Sequence, residues 1–343
     1  MWVAYLVLLL IGLFLLVKGA DIFVDTSSSI ARIFNLSEMM IGMTLVCFGT
    51  GLPELCLSVM SGIKGSSDLV VGNIIGTNMF NMCAILGIVC LINPIKLLKD
   101  TVRKDINMSL VTALAFLILS MDTLLTSETQ NLISRTDGLI LLLFFGIYIY
   151  YMFYHFDGIT ARHRKKKEKK QGIKVENERK PLDKKTKNLL IKKICVCAFS
   201  GLLIYFGSEC VIMGATNMAA LLGISEIFIS IMVIAIGTSL PEVATSIVAI
   251  KKGSINIAIG NLIGSNMMNM LLVIGLTSVI NPISIATTSL WFDAILFVIV
   301  CVLITFNARI RFINKGEYEI SRAEGIILLA IYVAYVVYVV FRG

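Results

Sequence analysis

The sequence predicts an all-α membrane protein: ten transmembrane helices, arranged as two inverted five-helix repeats with broken helices at the centre. Three observations lead there. Hydrophobic residues make up 57% of the 343 residues and charged residues 15%, and the mean hydropathy is +0.89, a balance that belongs to membrane proteins. Ten apolar runs can be read along the chain. Finally, Gly49-Thr50-Gly51-Leu52-Pro53-Glu54 recurs as Gly237-Thr238-Ser239-Leu240-Pro241-Glu242, each copy placing a carboxylate and a proline inside apolar sequence.

The runs are Trp2–Val17, Met40–Met60, Leu69–Ile92, Ile106–Leu119, Gly138–Phe156, Leu189–Ile212, Ile227–Ile250, Ile255–Ile280, Leu290–Thr305 and Ile326–Phe341. Several are shorter than the roughly 20 residues of a comfortable span. The first lacks the basic flank and small-residue cleavage site of a secretory signal, so it is expected to be retained. Eight cysteines fall in or beside these runs without a repeated metal-ligand spacing and are read as packing residues. His155 and His163 have no acidic or cysteine partners nearby in sequence and carry no metal or proton role in this reading.

The duplication is long. Glu54 and Glu242 are 188 residues apart, and the same offset maps Ser58 to Ser246, Lys64-Gly65-Ser66 to Lys252-Gly253-Ser254, Asn81 to Asn269 and Asn93-Pro94-Ile95 to Asn281-Pro282-Ile283. It also maps Gly72-Asn73-Ile74-Ile75-Gly76-Thr77-Asn78-Met79-Phe80-Asn81 to Gly260-Asn261-Leu262-Ile263-Gly264-Ser265-Asn266-Met267-Met268-Asn269. The expected divisions are residues 1–156, a first five-helix repeat; 157–193, a basic cytoplasmic linker; and 194–343, a second, inverted repeat.

The linker carries Arg162-His163-Arg164-Lys165-Lys166-Lys167 and most of the net charge of +8. It reads as a solvated loop on the cytoplasmic side, beside membrane lipid, and nucleic acid is not an expected partner. Placing it inside puts both termini outside. Arg32, Lys96, Lys99, Arg103, Lys104, Lys251, Lys252, Arg309, Arg311, Lys315 and Arg322 then face the cytoplasm, against Lys64, Arg135 and Arg342 outside. An odd number of spans per unit turns the second unit upside down.

Pro53 has no N–H for the carbonyl of Gly49, and Pro241 none for Gly237, so each helix is expected to open there. Thr50 and Glu54, and Thr238 and Glu242, are four apart, which on a continuous helix puts hydroxyl and carboxylate on one face. Thr77 with Asn81 and Ser265 with Asn269 repeat that spacing. A shell of Glu, Asn, Thr, Ser and backbone oxygens suits Ca²⁺ and Na⁺. A carboxylate at a helix centre costs about 3 kcal/mol on insertion scales, and two together repel unless a cation or proton sits between them. No phosphate loop is present, and neither ATP-driven pumping nor an enzyme activity is expected.

At these paired strings the sequence resembles the cation/calcium antiporter superfamily, most nearly the prokaryotic sodium/calcium exchangers. The resemblance implies that Glu54 and Glu242 are central Ca²⁺ ligands shared with flanking Na⁺ positions. It implies further ligands in the carbonyls of Cys47, Thr50, Ala235 and Thr238, the hydroxyls of Ser239, Thr77 and Ser265, and the amides of Asn81 and Asn269. It also implies alternating access, with the first and sixth spans sliding past a fixed site. Two positions depart from the family pattern. Gly51 stands where its counterpart is Ser239, leaving a Na⁺ position weakened or water-filled. Asn269 stands where many relatives carry aspartate, so two carboxylates must neutralise the cargo and the Na⁺ stoichiometry is left open.

The function expected is a secondary antiporter exchanging Na⁺ for Ca²⁺, exporting Ca²⁺ from a prokaryotic cell across its plasma membrane, with no cofactor and no protein partner implied. A Ca²⁺/H⁺ antiporter on the same fold is the nearest alternative, and a potassium-dependent exchanger a second. A cation channel or a non-transporting membrane scaffold would be of a different class.

Overall fold

The computed structural model describes residues 2–34, 36–97, 105–125, 131–152, 184–221, 235–285, 288–315 and 318–342. The chain begins with α1 (Trp2–Phe34). A broken pair follows, α2 (Glu38–Thr50) and α3 (Leu52–Ile63), bent by 50° at Gly51. Next come α4 (Ser67–Ile92), β1 (Ile95–Leu97), α5 (Asn107–Leu119), α6 (Asp122–Leu125), β2 (Leu132–Ile133) and α7 (Arg135–Met152). The later part holds α8 (Lys184–Leu221), α9 (Ala235–Thr238), α10 (Leu240–Lys251), α11 (Ile255–Ile280), β3 (Ile283–Ser284), α12 (Thr288–Lys315), β4 (Tyr318–Ile320) and α13 (Arg322–Arg342). Among the described residues seven helices are long and apolar enough to cross a membrane, and an eighth if α2 and α3 count as one span.

These helices coincide with the apolar runs, and two extend well past them. Hydropathy falls at Val17, yet α1 continues to Phe34 through Asp21 and Asp25, because Lys252, in the turn after α10, meets both carboxylates at 2.7 and 2.8 Å. α8 starts at Lys184, so the last ten residues assigned to the linker are helical. Of the run Ile227–Ile250, the part before Ala235 lies outside the described residues, as do His155, His163 and the basic linker before Lys184.

The two most buried spans are α4 and α11, with 83% and 94% of their apolar windows inside the protein. They form the middle of the molecule. Around them α1, α7, α8 and α13 bury only 11–22% and present large apolar side chains such as Phe14, Leu143, Phe199 and Ile327 outward, as lipid-facing helices do.

Each element has a counterpart 188 residues on. Leu52–Ile63 matches Leu240–Lys251, and the π-helical turns Phe80–Ile85 and Met268–Val273 interrupt α4 and α11 at equivalent places. Gly65 and Gly253, both with φ near +75°, make the same turn between them. The small strands cross over: β1 pairs antiparallel with β4 at Ile95↔Ile320, and β2 with β3 at Ile133↔Ile283. Gly87 of α4 lies against Gly325 of α13 as Gly275 of α11 lies against Gly138 of α7. The helix after each strand pair thus packs on the other half of the chain.

α1 and α8 run antiparallel. Their contacts descend in step, from Leu9 with Gly214 through Gly12 with Cys210 and Gly19 with Ile204 to Ser27 with Cys197. Small residues allow this approach, since a Cβ on Gly12 would lie 2.7 Å from Val211 N and one on Gly207 2.6 Å from Leu16 N. All eight cysteines are free thiols, most of them buried, in keeping with a packing role.

Candidate cation site

α2 stops at Thr50 and α9 at Thr238, and the chain turns at Gly51 and Ser239 with φ, ψ of −84°, 3° and −90°, 3°. Helices restart at Leu52 and Leu240 with proline in the first turn, where its missing N–H breaks no intrahelical bond. Glu54 and Glu242 therefore stand in the first turns of α3 and α10, where the helix dipole favours negative charge. The Gly237 carbonyl left by Pro241 accepts a hydrogen bond from Ser208 Oγ of α8 at 3.0 Å.

The break corrects one expectation. Thr50 and Glu54 do not share one helical face, because the helix ends between them. Thr50 instead stands beside Glu242 of the other half, as does Ser265, and donates its hydroxyl to Asn261 Oδ1 at 3.1 Å. Likewise Ser239 Oγ reaches Thr77 Oγ1 across the halves at 3.5 Å. The hydroxyls serve the opposite repeat, an arrangement that spacing within one helix could not show.

α4 and α11 supply the amides. Asn81 Nδ2 donates to Asn266 Oδ1 at 3.2 Å, and Asn269 Nδ2 donates to Asn78 Oδ1 at 3.1 Å, the same bond with the halves exchanged. Each bond fixes its amide with the carbonyl oxygen turned elsewhere: Asn81 Oδ1 and Asn269 Oδ1 accept no hydrogen bond among the described residues. The π-helical turns start at Phe80 and Met268, one residue before Asn81 and Asn269, and such turns re-aim side chains at functional sites. Asn78, Asn266, Asn73 and Asn261 lie inside the repeated strings but escaped the sequence reading. Their signal was present, since each amide recurs at the same offset.

The result is a dry cluster of oxygen acceptors. Glu54 is 0% and Glu242 1% exposed, and Thr50, Thr77, Asn81, Ser239, Ser265 and Asn269 are equally buried. Both oxygens of each carboxyl, together with Asn81 Oδ1, Asn269 Oδ1 and Ser265 Oγ, have no hydrogen-bond partner among the described residues. Glu54 and Glu242 are close enough to repel. Buried unpaired carboxylates cost several kcal/mol each, so this arrangement calls for positive charge among the oxygens. Cys47 adds its carbonyl at the edge of the cluster, where the N–H of Gly51 also binds it at 2.9 Å. Ala235 and Thr238 form the short α9 beside it. Among the described residues no group of three His, Cys, Asp or Glu side chains gathers, so the donor set is two carboxylates and neutral oxygens. That suits hard cations held by roughly six to eight oxygens at about 2.3–2.6 Å.

The Gly51 side is not water-filled. A Cβ on Gly51 would collide with Met268 Cε, so a thioether tip occupies the space of the missing serine hydroxyl.

Comparison with known proteins gives a consistent picture. A family described as sodium/calcium exchanger protein matches residues 4–154 and 192–341. The sodium/calcium exchanger MaX1 of Methanosarcina acetivorans is 31% identical over 348 residues, covering 96% of this chain and 97% of that protein. The putative antiporter CaxA of Alkalimonas amylolytica is 32% identical over 331 residues, covering 96% of each. A structure of the sodium-calcium exchanger NCX_Mj, soaked with 2.5 mM Na⁺ and 0.1 mM Ca²⁺, superimposes with a TM-score of 0.78. The two are 26% identical, and the match covers 98% of this chain and 99% of that one.

Proposed function

The chain belongs to the sodium/calcium exchanger protein family, and on that premise we propose that Ca²⁺ and Na⁺ bind in turn among Glu54, Glu242 and their surrounding oxygens. It is an integral membrane transporter rather than an enzyme, and it exchanges Na⁺ for Ca²⁺. The observation that carries the site is the sealed cluster of unpartnered acceptor oxygens around two carboxylates.

Glu54 and Glu242 carry the charge, and Asn81, Asn269, Ser265, Ser239, Thr77 and the carbonyls of Cys47, Thr50, Ala235 and Thr238 complete the shells. The architecture is ten spans in two inverted repeats, residues 1–156 and 194–343 around the basic linker 157–193. The antiparallel packing of α1 on α8, counterparts in the two halves, supports that inversion. The two separately matched stretches support the division. α1 and α8 slide together past the fixed centre, exposing the site to one side and then the other. Basic loops place the linker in the cytoplasm and both termini outside. In a prokaryotic plasma membrane the inward Na⁺ gradient would export Ca²⁺.

The test is uptake of labelled Ca²⁺ into proteoliposomes loaded with Na⁺ and diluted into Na⁺-free buffer, beside choline-loaded vesicles and vesicles with an imposed pH gradient. Uptake driven by internal Na⁺ is expected. Uptake driven by the pH gradient alone would move the protein to Ca²⁺/H⁺ exchange.

A further inference from the structure

We propose, building on the exchange reading above, that Met268 plugs the cation position on the Gly51 side. The site then holds a pair of Na⁺ in place of a single Ca²⁺, and each cycle moves no net charge.

The two halves differ at one place in the centre. Ser239 brings a buried hydroxyl to within 3.5 Å of Thr77 Oγ1. Its counterpart Gly51 has no side chain, and a Cβ there would collide with Met268 Cε and lie 2.9 Å from Cys47 O. Met268 is 1% exposed, so its tip is held inside. Phe80, the counterpart of Met268, sends its ring against Tyr332 with centroids 5.3 Å apart. A thioether is a weak acceptor and a poor ligand for a hard cation.

The neighbouring oxygens on the Gly51 side are also engaged. Cys47 O accepts the Gly51 N–H at 2.9 Å, whereas the Ser239 N–H goes to Ile236 O at 3.2 Å. Thr50 donates its hydroxyl to Asn261. Charge points the same way. Glu54 and Glu242 are the acidic side chains of the cluster, with neutral amides at Asn81 and Asn269. One Ca²⁺ or two Na⁺ neutralise them, whereas a third Na⁺ would leave a buried charge without a partner.

The experiment measures the plateau of Ca²⁺ accumulation in proteoliposomes at a fixed Na⁺ gradient, with the membrane potential clamped by K⁺ and valinomycin. For a tenfold Na⁺ gradient at zero potential, two coupled Na⁺ set a plateau near ~100-fold and three near ~1,000-fold. One net charge per cycle would shift the plateau about 50-fold per 100 mV. The expected result is the lower plateau, independent of potential. A plateau that follows potential overturns the inference and leaves Na⁺/Ca²⁺ exchange standing. Absence of any Na⁺-driven uptake overturns both. Two variants test the plug itself. Met268→Leu, which fills the same space without sulfur, should keep the wild-type coupling, and a changed plateau would make the sulfur a ligand. Gly51→Ser combined with Met268→Ala should steepen the Na⁺ dependence and make transport respond to potential. A transporting double variant that stays electroneutral would remove Met268 from the account.

Discussion

Asn81 Nδ2 donates a 3.2 Å hydrogen bond to Asn266 Oδ1, and the bond joins the two halves of the chain at the cluster's centre. Its mirror, Asn269 to Asn78, closes the pair. The amide that gives its N–H₂ in each bond keeps its oxygen for the cluster, so Asn78 and Asn266 position ligands that they do not replace.

Asn266→Ala and Asn78→Ala should each weaken cation binding about tenfold, the loss of one buried hydrogen bond with its partner left unsatisfied at roughly 1–2 kcal/mol. Na⁺-driven Ca²⁺ flux at several Ca²⁺ concentrations measures it. Unchanged affinity in both variants would deny them a positioning role.

Lys252 clamps α1 by ion pairs to Asp21 and Asp25 and a bond to the Asp21 carbonyl at 2.7 Å. Lys64, its counterpart in the first half, faces Glu209 and Met213 in the equivalent positions by sequence offset, so the clamp is one-sided. Partial burial opposes the Lys252 charge, but the bonds and charges of Asp21 and Asp25 outweigh it and raise its pKa. A raised lysine pKa means that the clamp holds fully below the ordinary lysine range and is lost as pH rises through the higher folded value. The pairs are part-exposed, so Lys252→Gln should cost less than about 1 kcal/mol of stability. It should nevertheless raise thiol labelling of a cysteine placed at Ser28, beside Asp25. Unaltered labelling would show that the clamp does not hold α1.

Gly207 meets Leu16 N at 2.6 Å from where a Cβ would sit. Gly207→Val should therefore force α8 off α1, at about 1–3 kcal/mol of overpacking, and lower the thermal midpoint of the detergent-solubilised protein. It should also slow exchange if the two helices move as one body. A variant as stable and as fast as wild type would contradict the close packing described.

Much of the fold was legible in sequence because apolar runs and the 188-residue offset need no tertiary information. Ile255–Ile280 appears as a helix with those same bounds. The end of α1 was not legible, because Asp21 and Asp25 read as the edge of an apolar run until Lys252 is brought to them from 231 and 227 residues away in sequence. At the site, Glu54 and Glu242 stood out as costly residues in apolar surroundings. The crossed partnerships of Thr50 with Asn261 and of Ser239 with Thr77 did not, since they depend on how the halves interlock. Met268 passed for packing, and it became informative only beside the missing side chain of Gly51.

The most direct measurement of the central claim is equilibrium binding of labelled Ca²⁺ to the purified protein with Na⁺ as competitor, repeated on Glu54→Gln and Glu242→Gln. Saturable Ca²⁺ binding that Na⁺ displaces, and that either substitution abolishes while the protein remains folded, is the result predicted. Ca²⁺ binding that survives in both variants with its Na⁺ competition intact would place the cation site somewhere else in the molecule.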